Sequence, residues 1–364
     1  MAVKMRRVLK NAVILEGREL EPAKGYLVIE DGVIREIGSG RAPYKNALDL
    51  KGGIVSPAFI NAHIHLGDSI APDLGAYMPL LKRVGKGGLK YEALTEREVK
   101  LKNAIKASLS EMFWSGTTCF CDFREGGSKG VRLLRSLVMH HGAVILGRPD
   151  EDEKPEDVLR LADGIGISGM ADYGEDELDA MAMAAKKGGK LLGVHAGELE
   201  DDVKRALELK PDFIVHATIA SAESLEACAE SRTPIVLCAR ANAMSAVGLP
   251  PMDEIFAKTM VAIGTDNVMV NSPNMLREVE FIFKTIRGVK KDHEFDAVEV
   301  LKAATFNGRR ILGLEDNSLR PGNRADLIIF NRRKYIYDPI LAVIHRYEAA
   351  DIRGVVVGDK FFGR

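Results

Sequence analysis

Residues 54–65 read Ile54-Val55-Ser56-Pro57-Ala58-Phe59-Ile60-Asn61-Ala62-His63-Ile64-His65. An apolar run of this kind, closed by polar residues, is the pattern of a buried strand whose C-terminal end carries chemistry. His63 and His65 are two apart, so on one strand both point the same way. Two imidazoles presented together make half of a metal site. A lone His-x-His is a weak sign, because a satisfied core histidine is the commoner explanation; the rest of the chain has to decide.

Outward from that stretch, similar runs recur: TTCFCDF (117–123), AVILGRP (143–149), GIGISGM (164–170), LLGVHAG (191–197), FIVHATI (213–219), PIVLCAR (234–240) and VAIGTDN (261–267). Helical patterns separate them, for example at 95–114, 129–141, 175–187, 199–209 and 274–287. Regular alternation with near-continuous apolar strands predicts an α/β chain forming a closed (β/α)8 TIM barrel over residues 54–317. A doubly wound open sheet is the alternative, but no glycine-rich phosphate-binding turn follows an early strand. Both ends of the chain are β-rich. Residues 1–53 carry alternating strands and an Asp31-Gly32 turn, and residues 318–364 include ADLIIFN and IRGVVVGDKFFGR. They predict a small flanking β-sandwich built from both termini.

The barrel reading gives the polar residues their meaning, since the C-terminal strand ends form the active face of this fold. His195 ends the fifth run, His216 the sixth and Asp266 the eighth. Each alone reads as a core residue; together with His63 and His65 they predict a metal site. Glu198 follows His195 by three residues, where a loop can swing its carboxylate over the site as a proton shuttle. The alternative is an acid serving the dipole of the helix expected at 199–209.

Bulk composition excludes other classes. Fifty-one Lys and Arg against fifty-two Asp and Glu leave a net charge of −1, with the two signs interspersed. That predicts a small-molecule substrate, with no nucleic-acid or membrane-surface partner. The N-terminus has no secretory apolar core, and no stretch approaches the ~20 apolar residues of a membrane span. Four cysteines in a chain of 364 residues do not make a disulfide framework, so a reducing cytoplasm is expected. Cys119 and Cys121 read as buried small hydrophobes within a strand. Glutamine is absent altogether, which, with abundant Lys, Glu and Arg, suggests a hot-living source.

These motifs resemble the amidohydrolase superfamily, in particular its cytosine deaminase, chlorohydrolase and S-adenosylhomocysteine deaminase branch. The matching stretches are Pro57 to His65, His195-Ala196-Gly197-Glu198, His216, Gly264-Thr265-Asp266-Asn267, Ala303 to Gly308 and Pro321 to Leu327. The resemblance covers nearly the whole chain and includes the terminal strands. It implies that His63, His65, His195 and Asp266 bind one divalent ion, Zn²⁺ or alternatively Fe²⁺. It further implies that His216 hydrogen-bonds the hydrolytic water and the developing oxyanion. Asp266 would take a proton from that water, and Glu198 would deliver one to the substrate nitrogen. The lysine that binuclear members carry on the fourth strand is missing from Gly164–Met170, which implies a single metal. The family also leaves room for a homo-oligomer.

The expected reaction is deamination of an amino-substituted heterocycle such as a purine nucleoside derivative, a pterin or a pyrimidine. Hydrolysis of another C–N bond or of a C–Cl bond at the same site is the alternative, and a catalytically inactive binding protein the contrasting one. Arg124, Arg148 and Arg240 fall at or just past strand ends, with Asn242 and Asn267 nearby; all five are candidate substrate contacts. The arginines could instead pair with loop acids such as Glu125 or Asp150. Cys238-Ala239-Arg240-Ala241-Asn242 looks like the family's Cys-Pro-x-Ser-Asn stretch without its proline and serine, which puts the usual contacts of the seventh strand in doubt. With no glutamine to read a base's amide edge, a true cytosine or guanine deaminase is disfavoured. The segment Leu66 to Lys90 reads as a short Gly-rich loop offering no ligand.

Overall fold

The computed structural model describes residues 6–85, 87–94 and 98–364. Its central sheet is parallel and closes on itself. The strands are, in order, Phe59–His65, Thr117–Arg124, Gly142–Gly147, Gly164–Ile167, Leu191–Ala196, Phe213–His216, Ile235–Leu237 and an eighth in two pieces, Val261–Ile263 and Asp266–Asn267. Each pairs with its successor in sequence, and the second piece of the eighth returns to the first, with Asp266 opposite Ile64 and Asn267 opposite His65. This is the predicted (β/α)8 barrel.

Closure is specified locally. Asn61 Nδ2 donates to Thr265 Oγ1 at 2.7 Å, and the Thr265 N–H donates to Asn61 Oδ1 at 2.9 Å. Between them Gly264 passes so close to the first strand that a Cβ there would lie 2.7 Å from His63 atoms. Only glycine lets the strands approach this way.

Period-2 alternation sorts the strand residues. Cys119, Cys121 and Phe123 face the barrel interior with Val144, Leu146, Phe213, Val215 and Val236. Phe120 and Ile145 face the outer helices. The two cysteines are buried and free, and burial pushes the Cys119 thiol up to about 11, as expected of packing residues.

The second sheet is mixed. It has the strand order Lys360–Gly363, Ile352–Val357, Asp326–Phe330, Ile54–Pro57, Arg6–Glu16, Glu21–Glu30, Val33–Ser39, with Leu48–Asp49 also paired to Arg6–Glu16. Both termini contribute, and Asp31 and Gly32 form the hairpin turn with φ of 51° and 79°.

Three expectations need correction. The run 54–65 is two strands: Ile54–Pro57 pairs with the terminal strands Arg6–Glu16 and Asp326–Phe330, and only Phe59–His65 belongs to the barrel. The switch falls at Pro57-Ala58, where both faces are apolar and periodicity gives no warning. Residues 318–364 are not all sheet, because the helix Pro339–His345 lies between the last strands, with Asp338 capping its N-terminus. The segment after His65 is no simple loop; it forms a 3-10 turn at Leu66–Ile70 and helices Leu80–Val84 and Leu89–Leu94. The helix expected at 95–114 runs from Glu98 to Trp114, and residues 95–97 lie outside the described residues. Among the described residues no helix is long and apolar enough to cross a membrane.

Candidate functional site

Strand alternation delivers the polar side chains to one mouth of the barrel. His195 follows inward-facing Gly193 at a spacing of two, while a Cβ at Gly193 would lie 2.6 Å from the Phe123 ring, so that position must stay small. Phe123 in turn floors the site, its ring centroid 4.4 Å from that of His63 and 4.9 Å from that of His195. His216 directly follows inward-facing Val215 and by alternation would point out. A left-handed backbone, φ 83°, turns it in; Asp266 is likewise left-handed at 59°. Such conformations cost a non-glycine residue about 1–3 kcal/mol and gather where function requires them.

Four donor atoms meet. His63 Nε2 lies 3.1 Å from His195 Nε2 and 3.2 Å from Asp266 Oδ1. His65 Nε2 lies 3.3 Å from His195 Nε2 and 3.5 Å from Asp266 Oδ1. Neighbouring ligands of one divalent ion stand roughly 3 Å apart at Zn–N and Zn–O distances, and these four separations match that. The donor set therefore fits a divalent ion. His216 also brings a nitrogen to the cluster, within 4.8 Å of donors on His63, His195 and Asp266. All five residues are buried, none more than 9% exposed.

Electrostatics prepares these groups. Burial holds His63 neutral, pushing it down to about 3 against the opposing pull of Asp266, and holds His195 well below the usual histidine range. Both then offer lone pairs. His195 Nδ1 donates to the Ile167 carbonyl at 2.7 Å, which leaves Nε2 free to ligate. For His65 burial is outweighed by the Glu125 carboxylate, whose Oε1 stands 3.5 Å from Nδ1, and its pKa rises. Burial alone would raise Asp266, but the hydrogen bond from His63 and the neighbouring imidazoles hold it below the usual carboxylate range.

A second acidic grouping, His65 with Asp68 and Glu125, already contains a cation. Lys90 Nζ lies 2.8 Å from Glu125 Oε1 and 3.4 Å from Asp68 Oδ2, and these carboxylates overcome burial to raise its pKa. Sequence reasoning missed Asp68 and Lys90. A lysine in a Gly-rich stretch reads as solvated, and only the fold shows it buried.

Glu198 stands in the cavity, Oε1 3.7 Å from His216 Nε2. The next helix begins at Val203 with Asp202 at its N-cap, so Glu198 is not its first-turn acid. Burial, helped by the charge on Asp266 and opposed by His216, raises its pKa.

The cavity encloses about 400 Å³, within the range of small-molecule sites. Leu81, Val84, Tyr91, Met170 and Leu199 give it an apolar wall. Of the five substrate candidates, Arg148 and Asn267 line it. The buried Arg148 Nε has no hydrogen-bond partner among the described residues. Asn267 spends its amide on Asp68 and on the Met269 N–H. The other three are tied up by protein partners. Arg124 is held by Glu125 at 3.0 Å, Arg240 reaches Glu278 and the Ser272 and Asn274 carbonyls, and Asn242 contacts His216 and Glu198.

The amidohydrolase family model matches residues 54–361. The chain belongs to that family. A Methanothermobacter thermautotrophicus protein named provisionally as an aminohydrolase is 35% identical to this amidohydrolase over 98% of the chain and 99% of the relative. The 5-methylthioadenosine/S-adenosylhomocysteine deaminase of Thermoanaerobacter pseudethanolicus is 27% identical over 98% and 93%. Among solved structures, a zinc-bound adenosine deaminase from Xanthomonas campestris superposes with a TM-score of 0.83 at 17% identity, covering 97% of this chain and 92% of that one. That likeness bears out the fold.

Proposed function

We propose that the protein is a mononuclear metal-dependent aminohydrolase that deaminates an amino-substituted heterocycle, an adenine nucleoside derivative foremost. The carrying observation is the gathering of donors on His63, His65, His195 and Asp266, with four of their separations at 3.1–3.5 Å and Glu198 and His216 beside them. These four residues would hold the ion, zinc by preference given the imidazole and carboxylate donors. A bound divalent ion would lower the pKa of a water from 15.7 to about 7, supplying a nucleophile at neutral pH. The filling of the His65–Asp68–Glu125 grouping by Lys90 supports a single ion.

The residues then divide the work. Asp266, ionised at neutral pH, accepts a proton from the attacking water. His216 donates a hydrogen bond to the attacking oxygen, while the electron pair displaced from the C=N bond moves to the ring nitrogen and returns as the amine departs. Glu198, whose carboxyl is held above the usual carboxylate range by burial, relays the proton taken from water to the amino nitrogen; the C–N bond breaks and ammonia leaves. An amine needs that proton to depart and chloride does not, so Glu198 favours a nitrogen leaving group over chloride. An inactive binding protein would have no use for so complete a set.

Arg148 and the apolar wall would receive the rest of the substrate, the guanidinium meeting a carboxylate, phosphate or ring oxygen. Deaminases of 5-methylthioadenosine and S-adenosylhomocysteine among the relatives support an adenine-bearing substrate. The four free, buried cysteines suit a reducing cytoplasm. The test is ammonia release by zinc-reconstituted protein from adenine nucleosides, pterins and pyrimidines. Turnover of an adenine nucleoside supports the reading, and silence across the whole panel refutes it.

A further inference from the structure

His216 differs from its neighbours in what holds its Nδ1. In His195 that nitrogen faces a carbonyl oxygen at 2.7 Å, and in His65 a carboxylate at 3.5 Å; both are acceptors. The Nδ1 of His216 instead meets the amide nitrogen of Asn242, at 3.1 Å. The same Nδ2 lies 3.5 Å from Glu198 Oε1. An amide NH₂ has two N–H bonds to give and accepts nothing. Turning the amide over would set its oxygen against the Glu198 carboxylate. The two contacts agree on one orientation, in which Nδ2 donates to both.

We propose that Asn242 is a positioning residue that fixes His216 as its Nε2–H tautomer. An imidazole that accepts at Nδ1 carries its proton on Nε2. His216 thus presents an N–H to Glu198 and to the reacting centre, whereas His195 presents a lone pair. This separates the roles of imidazoles that distance alone leaves alike, since His216 stands within the same cluster yet cannot ligate through a protonated Nε2.

The local structure is built for the task. Asn242 is fully buried on the short helix Ala239–Met244, its N–H bonded to the Cys238 carbonyl at 3.0 Å. Arg240 anchors that helix, its backbone N–H donating to Glu278 Oε1 at 3.0 Å and its guanidinium lying 3.3 Å from the Asn274 carbonyl. The arginine therefore acts on Asn242 from behind. The catalytic consequence rests on the deaminase reading above; the tautomer does not.

The experiment is long-range ¹H–¹⁵N spectroscopy of zinc-reconstituted, [¹⁵N]histidine-labelled protein, with His216→Asn identifying the resonance. His216 is expected to show a bare Nδ1 and a protonated Nε2. In Asn242→Leu, which keeps the volume but lacks a donor, that fixed pattern should give way to a mixture of tautomers. With the substrate found by the ammonia screen, kcat should fall about 10–100-fold, as for other supporting partners of site histidines, with KM and zinc content unchanged. A protonated Nδ1 in the native protein overturns the proposal, and so does wild-type kcat in Asn242→Leu. The native spectrum decides the matter even if the variant does not fold or no substrate is found, because the tautomer is read without turnover.

Discussion

The Nε2 atoms of His63 and His195 lie 3.1 Å apart, and the same His63 atom stands 3.2 Å from Asp266 Oδ1. His195 commits its proton to Ile167 through Nδ1, and burial keeps both rings neutral. A cation in their midst would take a lone pair from each ring. His65 and Asp266 complete that surround.

Glu198 is placed to move a proton, so its removal should cost rate and leave the ion in place. Glu198→Gln keeps the size and loses the titrating group. Turnover should fall by about 10²–10⁴-fold, with metal content by mass spectrometry unchanged. Retained turnover would take Glu198 out of the mechanism.

Asn61 and Thr265 exchange two buried hydrogen bonds across the seam of the barrel, just below His63 and Asp266. Asn61→Leu leaves the Thr265 N–H buried without its acceptor, at a cost of about 1–3 kcal/mol. The urea midpoint should drop without a change in m-value. An unchanged midpoint would show that the seam is held by packing alone.

Glu278 supplies the pH dependence. Burial pushes it up to about 7 from the ordinary 4.5, against the pull of Arg240. Between those values the folded chain holds a proton that the unfolded chain releases, so stability from this group is complete below 4.5 and is lost as pH rises through 7. In metal-free protein Glu278→Gln should flatten that decline, read from denaturation curves across the window. Identical slopes in both proteins would contradict the assignment.

Arg148 is the cavity's guanidinium with an unsatisfied Nε, and Arg148→Met should weaken substrate binding by a charge-assisted hydrogen bond. At about 1.5–3 kcal/mol, KM should rise on the order of 10–100-fold with kcat little changed. An unaltered KM would place the substrate's polar end elsewhere.

The sequence carried the barrel and its inward-facing histidines because a parallel strand is apolar throughout, so His195 or Asp266 at its end stands out. It carried less where polarity was silent. Arg124 and Arg148 look alike in one dimension, yet Phe123 faces in, so Arg124 faces out, whereas Leu146 faces in and so does Arg148. That parity is legible in the strand pattern. His216 could not be assigned in that way, because its inward turn depends on a left-handed backbone that no alternation rule foresees. Nor could Lys90, whose burial depends on carboxylates from Asp68 and Glu125 meeting it in space.

The most direct test is a zinc titration of metal-free protein, following ammonia release from the substrate that the screen identifies. Activity should be absent at the start, climb in proportion to added zinc, and break sharply at one equivalent per chain, with His195→Ala showing neither binding nor turnover. Full activity without metal, or a break at two equivalents, would contradict a single ion held by His63, His65, His195 and Asp266.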